Sequence, residues 1–299
     1  MKRRFLVTGT EGQVVGSLVE KAERRDDIEL VLVGLPDLDL SQTAMIAPAI
    51  EALRPDVILS VAAYTAVDAA ETDEEMAHAV NGIAPGEIGR AAGHLDIPVV
   101  HLSTDYVFAG DKRTPYLETD ETGPIGAYGR TKLAGETALA AATANHVVLR
   151  TAWVYSPFGK NFAKTMLRLA ETRDRIPVVA DQFGNPTSAL DIADALLGVA
   201  ENLLASSAPA LRGLFHMTGS GEASWADFSE EIFRISKAVG GPAAEVDRIA
   251  TSGYPTPAKR PQNSRLDCGK LARVHGIRLP HWHGSTVEVV RRLIEGRTM

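Results

Sequence analysis

The stretch FLVTGTEGQVVGSLVE, residues 5–20, decides the fold. An apolar run from Phe5 to Val7 enters glycines at Gly9, Gly12 and Gly16 and leaves into a helical pattern. A helix start leaves N–H groups unpaired and carries a partial positive charge. Glycine lets the backbone approach a phosphate with no Cβ in the way. The stretch therefore reads either as a dinucleotide cradle or as a tight strand-to-helix turn with no ligand. Its spacing is GxxGxxxG, neither GxGxxG nor GxxGxxG. Val15 stands where a third glycine would permit close helix packing, and Gly16 follows it.

Outward from this stretch, apolar runs alternate with helical patterns. The runs are RFLVTG (4–9), IELVLVGL (28–35), DVILSVAA (56–63), IPVVHLS (97–103) and HVVLRTAWVY (146–155). Helices are expected over about 13–24, 44–53, 73–94 and 126–144. Strands apolar on both faces, separated by helices, predict an α/β protein of the Rossmann type, with a doubly wound parallel sheet. After Tyr155 the pattern loosens. A helix is expected at about 160–173, a second is introduced by Pro186 and Thr187, and GLFHMTGS (213–220) reads as one more buried strand. The expected division is a nucleotide-binding domain over 1–155, with returning elements at about 186–220. A smaller C-terminal lobe is expected over about 156–185 and 221–299, packed across the carboxyl ends of the strands, where open α/β sheets bind ligands.

The chain has 299 residues, 45% hydrophobic and 23% charged, with a net charge of −7 and acids and bases interspersed. Nucleic acid is not an expected partner, because no basic stripe exists to meet it. No run approaches the roughly 18 apolar residues of a membrane span, and the N-terminal apolar stretch is too short for a signal peptide. The single cysteine, Cys268, permits no internal disulfide framework and no cysteine-based metal site. A cytoplasmic location is the expectation.

Two further stretches carry chemistry. In AYGRTKLAGE, Tyr128 and Lys132 lie four apart, on one face of a helix. A phenol ordinarily titrates near 10, so it is a poor acid–base group at neutrality. A neighbouring ammonium is expected to lower that value and ease proton release, and could also hold a cofactor ribose. The plain alternative is a solvent-facing pair. About 25 residues upstream, HLSTDYVFAG brings Ser103, Thr104 and Asp105 to a strand's carboxyl end. A hydroxyl there can donate to a carbonyl oxygen as negative charge develops on it, or the cluster caps a turn. Hydroxyl, Tyr-x-x-x-Lys and glycine loop in this chain order are far more specific than any one of them.

With these motifs the chain resembles the extended short-chain dehydrogenases/reductases, along nearly its whole length. The resemblance is carried by AAYTAVDAAE (62–71), STDYVFAG (103–110), YGRTKLAGE (128–136), LRTAWVYS (149–156), NFAKTMLRLA (161–170), DQFGNPTSA (181–189) and YPTPAKRPQNSRL (254–266). Within the family it points to the branch that reduces the C4 keto group of dTDP-4-dehydro-β-L-rhamnose to dTDP-L-rhamnose. That implies an NAD(P)H-dependent oxidoreductase with a dTDP-sugar as substrate, acting as monomer or homodimer. Tyr128 would protonate the new oxygen, Lys132 would tune it and hold the ribose, and Thr104 would help bind the carbonyl oxygen. The implied cofactor site is Gly9, Gly12, Gln13, Val14 and Asp39. Ala62, Ala63 and Tyr64 would complete it, with Tyr128 and Lys132. The sugar pocket would take Val67, Thr104, Asp105, Tyr106 and Trp153, and Arg260 would meet the diphosphate through its bidentate fork. The plain alternatives are a core tryptophan for Trp153 and an ion pair for Arg260.

Strand two usually ends in an acid that holds the adenosine ribose. Here Gly34 and Leu35 occupy that place, and the acids follow at Asp37 and Asp39. A missing carboxylate favours NADPH, with NADH possible, although no arginine nearby welcomes a 2′-phosphate. Some relatives bind magnesium through glutamates; the matching positions here are Val15 and Leu190, and no metal site is expected. HWH (281–283) lacks a third ligand and reads as a turn near the C-terminal helix. Two competing readings remain: an epimerase or dehydratase of the same fold that keeps NAD bound, and a non-catalytic regulatory homologue.

Overall fold

The computed structural model describes residues 2–296. The first half alternates as the sequence predicts: β1 (Arg3–Thr8), α1 (Gln13–Ala22), β2 (Ile28–Val33), α2 (Ile46–Leu53) and β3 (Val57–Ser60). It continues through α3 (Glu74–His78), a π-helical turn (Ala79–Ile83), α4 (Ala84–Leu95), β4 (Val99–Thr104), α5 (Ala127–Ala142) and β5 (His146–Thr151). The second half holds β6 (Val154–Tyr155), α6 (Phe162–Leu169), β7 (Arg175–Val179), β8 (Phe183–Gly184), β9 (Thr187–Ser188) and α7 (Ala189–Ala205). Then come β10 (Gly213–His216), β11 (Ala223–Ser224), α8 (Trp225–Ala238), β12 (Glu245–Ile249), α9 (Gly269–His275) and α10 (Trp282–Glu295).

Six parallel strands form one sheet in the order β2-β1-β3-β4-β5-β10. Alternate side chains of each strand enter different cores, which is why the strands are apolar throughout. Phe5, Val7, Val57, Leu59, Val100, Leu102, Val147 and Leu149 pack with α1, α7 and α9. Leu6, Ile58, Val99 and Val148 face α2, α4 and α5. The order reverses between β1 and β3, so a crevice opens at their carboxyl ends. A separate core, with Tyr155, Leu167, Ile176, Phe228, Ile232 and Val289, gathers α6, α8, α10 and the parallel pair β7–β12.

Two expected elements break, each for a local reason. The helix expected over 73–94 is interrupted by the π-helical turn, because Pro85 has no N–H to offer the Asn81 carbonyl four residues back. The run HVVLRTAWVY divides into β5 and β6 at Trp153, whose φ of 47° lies in the left-handed region. The introduced helix begins at Ala189, capped by the Ser188 hydroxyl, rather than at Pro186. HWH opens α10: His281 is its cap and accepts from the His283 N–H. No helix among the described residues is long and apolar enough to cross a membrane.

Candidate active site

The glycine stretch folds as a cradle. Gly9 and Gly12 have φ of 98° and 112°, which glycine alone adopts without penalty. α1 starts directly after Gly12, and no side chain among the described residues caps it. Its first N–H groups therefore face the crevice as a donor set for an anion. A Cβ on Gly12 would meet no described atom within 4 Å, so the space before the helix is open, as a pyrophosphate requires. α1 begins at Gln13, so Val15 does not delay the helix. Val15 is 4% exposed and packs in the core beside Val7 and Leu18. The close-packing role falls to Gly16, where a Cβ would lie 2.8 Å from Phe158 Cγ.

Neighbouring segments close around the cradle. Thr8 Oγ1 accepts from the N–H groups of Val61 and Ala62, fixing the chain after β3. A Cβ on Gly9 would come within 3.4 Å of Ala62 Cβ. Ala63 follows in the same partly buried segment, and Tyr64 is clamped by Asn81, which accepts from its N–H at 2.9 Å and donates to its carbonyl at 3.0 Å. Gln13 donates to the Val154 carbonyl and accepts from Ser156 Oγ, while Val14 packs partly buried against the core. At the end of β2, Gly34 is pressed on the loop: a Cβ there would sit 3.2 Å from Gly9 Cα, which explains why no acidic side chain occupies it. Asp39 lies beyond, accepting from the Ser41 N–H and hydroxyl.

The catalytic candidates converge at the end of β4. Thr104 and Asp105 are 5% and 3% exposed. Thr104 Oγ1 donates to Asp105 Oδ1 at 3.0 Å and accepts from the Tyr106 N–H. Asp105 Oδ2 is buried and has no hydrogen-bond partner among the described residues. Burial pushes this carboxyl up to about 7, against the opposing Ser264 and Thr104 hydroxyls. Tyr106 and Tyr128 meet edge to face, 6.1 Å between ring centres. Val67, Tyr106 and Tyr128 line one small pocket together with Glu71, Ala258 and Pro261. A larger open cleft lies beyond β10, and its described lining includes none of the expected residues.

α5 reaches this position because two of its glycines allow it. A Cβ on Gly129 would lie 2.1 Å from the Tyr106 carbonyl oxygen, and one on Gly135 would lie 2.0 Å from that of Asn81. Its first turn is capped from a distance by Glu71, which accepts from the Ala127 N–H at 2.8 Å. Below the site, Glu136 holds Arg150 through two bonds of 2.9 and 2.7 Å and accepts from Ser103.

Lys132 behaves differently from expectation. Burial pushes the Tyr128 phenol up to about 12, Asp105 adds to the shift and Thr104 opposes it. The Lys132 ammonium turns to the Leu102 carbonyl at 2.7 Å and the His101 ring at 3.4 Å, and its burial brings it down to about 8. The i, i+4 spacing puts both residues on one helix face, but it does not direct the ammonium to the phenol.

The remaining candidates, Trp153 and Arg260, lie after β5. Trp153 stacks on Trp225, 3.5 Å between ring centres, and Gly184 presses on its ring: a Cβ there would lie 2.4 Å from Trp153 Cε2. Arg260 is engaged with Asp68 through bonds of 3.1 and 2.9 Å, the ion pair that was its plain alternative. Asn81, Glu71, His101 and Ser264 escaped the sequence reading. Each acts on a group 17 to 159 positions away, and no local motif marks such pairs.

Residues 3–295 match the family model described as the RmlD substrate binding domain. A dTDP-4-dehydrorhamnose reductase of Sinorhizobium fredii is 51% identical over 295 residues, covering 98% of this chain and 99% of that one. The chain belongs to the dTDP-4-dehydrorhamnose reductase family. Among solved structures, the reductase ortholog from Clostridium acetobutylicum superposes with a TM-score of 0.90 at 35% identity, covering 97% of this chain and 99% of that one. The Bacillus anthracis reductase, solved in complex with NADP, gives 0.89 at 30% identity, covering 98% and 100%. The expected family and fold are thereby borne out, and the chain is an NAD(P)H-dependent oxidoreductase of that family.

Proposed function

We infer that the crevice at the carboxyl ends of β1, β3 and β4 reduces the C4 keto group of dTDP-4-dehydro-β-L-rhamnose to dTDP-L-rhamnose, the last step of dTDP-L-rhamnose synthesis. The observation that carries this reading is the convergence of Thr104, Asp105, Tyr106 and Tyr128 at the carboxyl end of β4, two strands along the sheet from the one that leads into the cradle of Gly9, Gly12 and α1. NADPH, when bound there, supplies the hydride. Its preference over NADH is supported by the missing side chain at Gly34, which sets no carboxylate against a 2′-phosphate, and by the NADP complex of the Bacillus anthracis relative.

Reduction of a ketone leaves an alkoxide that needs a proton. A phenol held up to about 12 is fully protonated at neutrality, the form a general acid requires, and an alkoxide is basic enough to take that proton. Thr104 turns its hydroxyl from Asp105 to the substrate oxygen by rotation about a single bond, so it shares the developing charge. Lys132 holds the cofactor ribose. Asp105 and Tyr106 meet the sugar hydroxyls, Val67 and Trp153 its C–H surfaces, and Arg260 reaches the diphosphate by leaving Asp68.

The test is an NADPH oxidation assay with the 4-keto sugar nucleotide, run with Tyr128→Phe beside the unaltered chain. The variant is expected to lose about 10²–10⁴-fold in kcat while NADPH affinity holds. A near-normal kcat would remove Tyr128 from the role of acid. Bound NAD that survives purification and recycles its hydride would favour an epimerase instead.

A further inference from the structure

Lys132 rests on a buried polar pair that the reaction scheme has not used. Ser60 closes β3 and His101 lies on β4, and the two are direct partners across the parallel ladder, so both side chains leave the sheet on the face toward α5. Ser60 Oγ lies 2.9 Å from His101 Nδ1, and the Lys132 ammonium faces His101 Nε2 at 3.4 Å. All three residues are no more than 2% exposed. An ammonium has donors only, so Nε2 must present its lone pair to it. The ring proton is then on Nδ1, where the Ser60 oxygen accepts it.

The charged surroundings keep the ring neutral. Burial, the Lys132 charge and His146 on β5 all oppose a second ring proton, and Glu136, one turn along α5, favours the charged form of Lys132. With the Leu102 carbonyl taking a second ammonium proton, two of three donors are committed on the β4 side. The third has its direction fixed by the other two.

We propose that His101, held in one tautomer by Ser60, is a positioning residue: it accepts from Lys132 and aims the remaining N–H of the ammonium at the cofactor ribose. The proposal rests on the reading of Lys132 as the ribose ligand.

The experiment measures NADPH binding to the intact chain by fluorescence titration, and follows the titration of Lys132 by NMR of ¹³C-labelled lysine in the cofactor-free protein. His101→Phe removes the acceptor at similar volume. It is expected to weaken NADPH binding about tenfold, since a hydrogen bond to a charged donor is lost, and to lower the pH at which Lys132 titrates. His101→Gln, whose amide oxygen can reach the same point, is expected to recover most of both. Ser60→Ala, which frees the ring to change tautomer, is expected to fall between. If His101→Phe does not fold, the other two variants decide. Wild-type NADPH binding and lysine titration in these variants, whatever their melting temperatures, overturn the proposal, as does a Gln variant no better than Phe. Lys132→Met separates the two levels. If it leaves NADPH binding unchanged, the ribose assignment itself falls; if it weakens binding while the His101 variants do not, only the proposal falls.

Discussion

Asp105 shows how burial changes what a residue can do. Its carboxyl, pushed up to about 7, keeps a proton that the unfolded chain loses near 4. The folded state therefore binds the extra proton between about pH 4 and about pH 7. Stability falls as pH rises through that window and levels off above it. Asp105→Asn keeps the shape and still accepts from Thr104, so its stability advantage over the unaltered chain is expected to widen from about pH 4 to about pH 7. Thermal melts across that range measure the gap, and one that stays constant would mean that Asp105 is ionised throughout. Val15 is the opposite case, a departure from a motif that turns out to be structural. As a buried core residue in a helix, its replacement by glycine is expected to cost about 2–3 kcal/mol, from lost burial, a cavity and helix propensity. Urea unfolding measures the cost. A stable Val15→Gly chain that bound NADPH more tightly would restore the view of Val15 as a misfit.

At the scale of elements, the site depends on how closely α5 approaches its neighbours. Gly135→Ala would set a methyl group 2.0 Å from the Asn81 carbonyl oxygen, so the helix must move away. Overpacking of this kind is expected to cost about 1–3 kcal/mol. Because Asn81 also clamps Tyr64, NADPH binding should weaken together with the melting temperature; unchanged affinity in a destabilised variant would uncouple the clamp from the cradle. The sequence reading found β1 to β5 and α5 because apolar runs and helical spacing are local signals, and the two-faced burial of Leu6 between Phe5 and Val7 needs no distant information. It also found Thr104, Tyr128 and the glycine cradle, each marked by its position at a strand end or on a helix. It missed what depends on contact across the fold. The cap of α5 comes from Glu71, the raised proton affinity of Tyr128 from Asp105 and burial, and the partners of Lys132 from β4. The break at Trp153 was hidden because its left-handed backbone is supported by stacking on Trp225, some seventy residues ahead.

Across the whole molecule, the chain between β5 and α6 runs from the sheet to the second core. Trp153 in that chain packs on Trp225 of α8, while Val154 and Ser156 just after it are both bonded to Gln13, the first residue of α1. A single short segment thus touches the cofactor cradle at one end and the proposed sugar pocket at the other. Two ligands that press on one segment are not independent, and thermodynamics makes their influence mutual: the factor by which NADPH changes affinity for dTDP-L-rhamnose must equal the factor by which dTDP-L-rhamnose changes affinity for NADPH. This pair cannot react, so calorimetry can measure both factors at equilibrium. Gln13→Ala cuts the segment from the cradle and is expected to bring the factor toward one. A factor that survives the substitution would locate the communication elsewhere. If it disappears, the bonds of Gln13 are what let each ligand register the presence of the other.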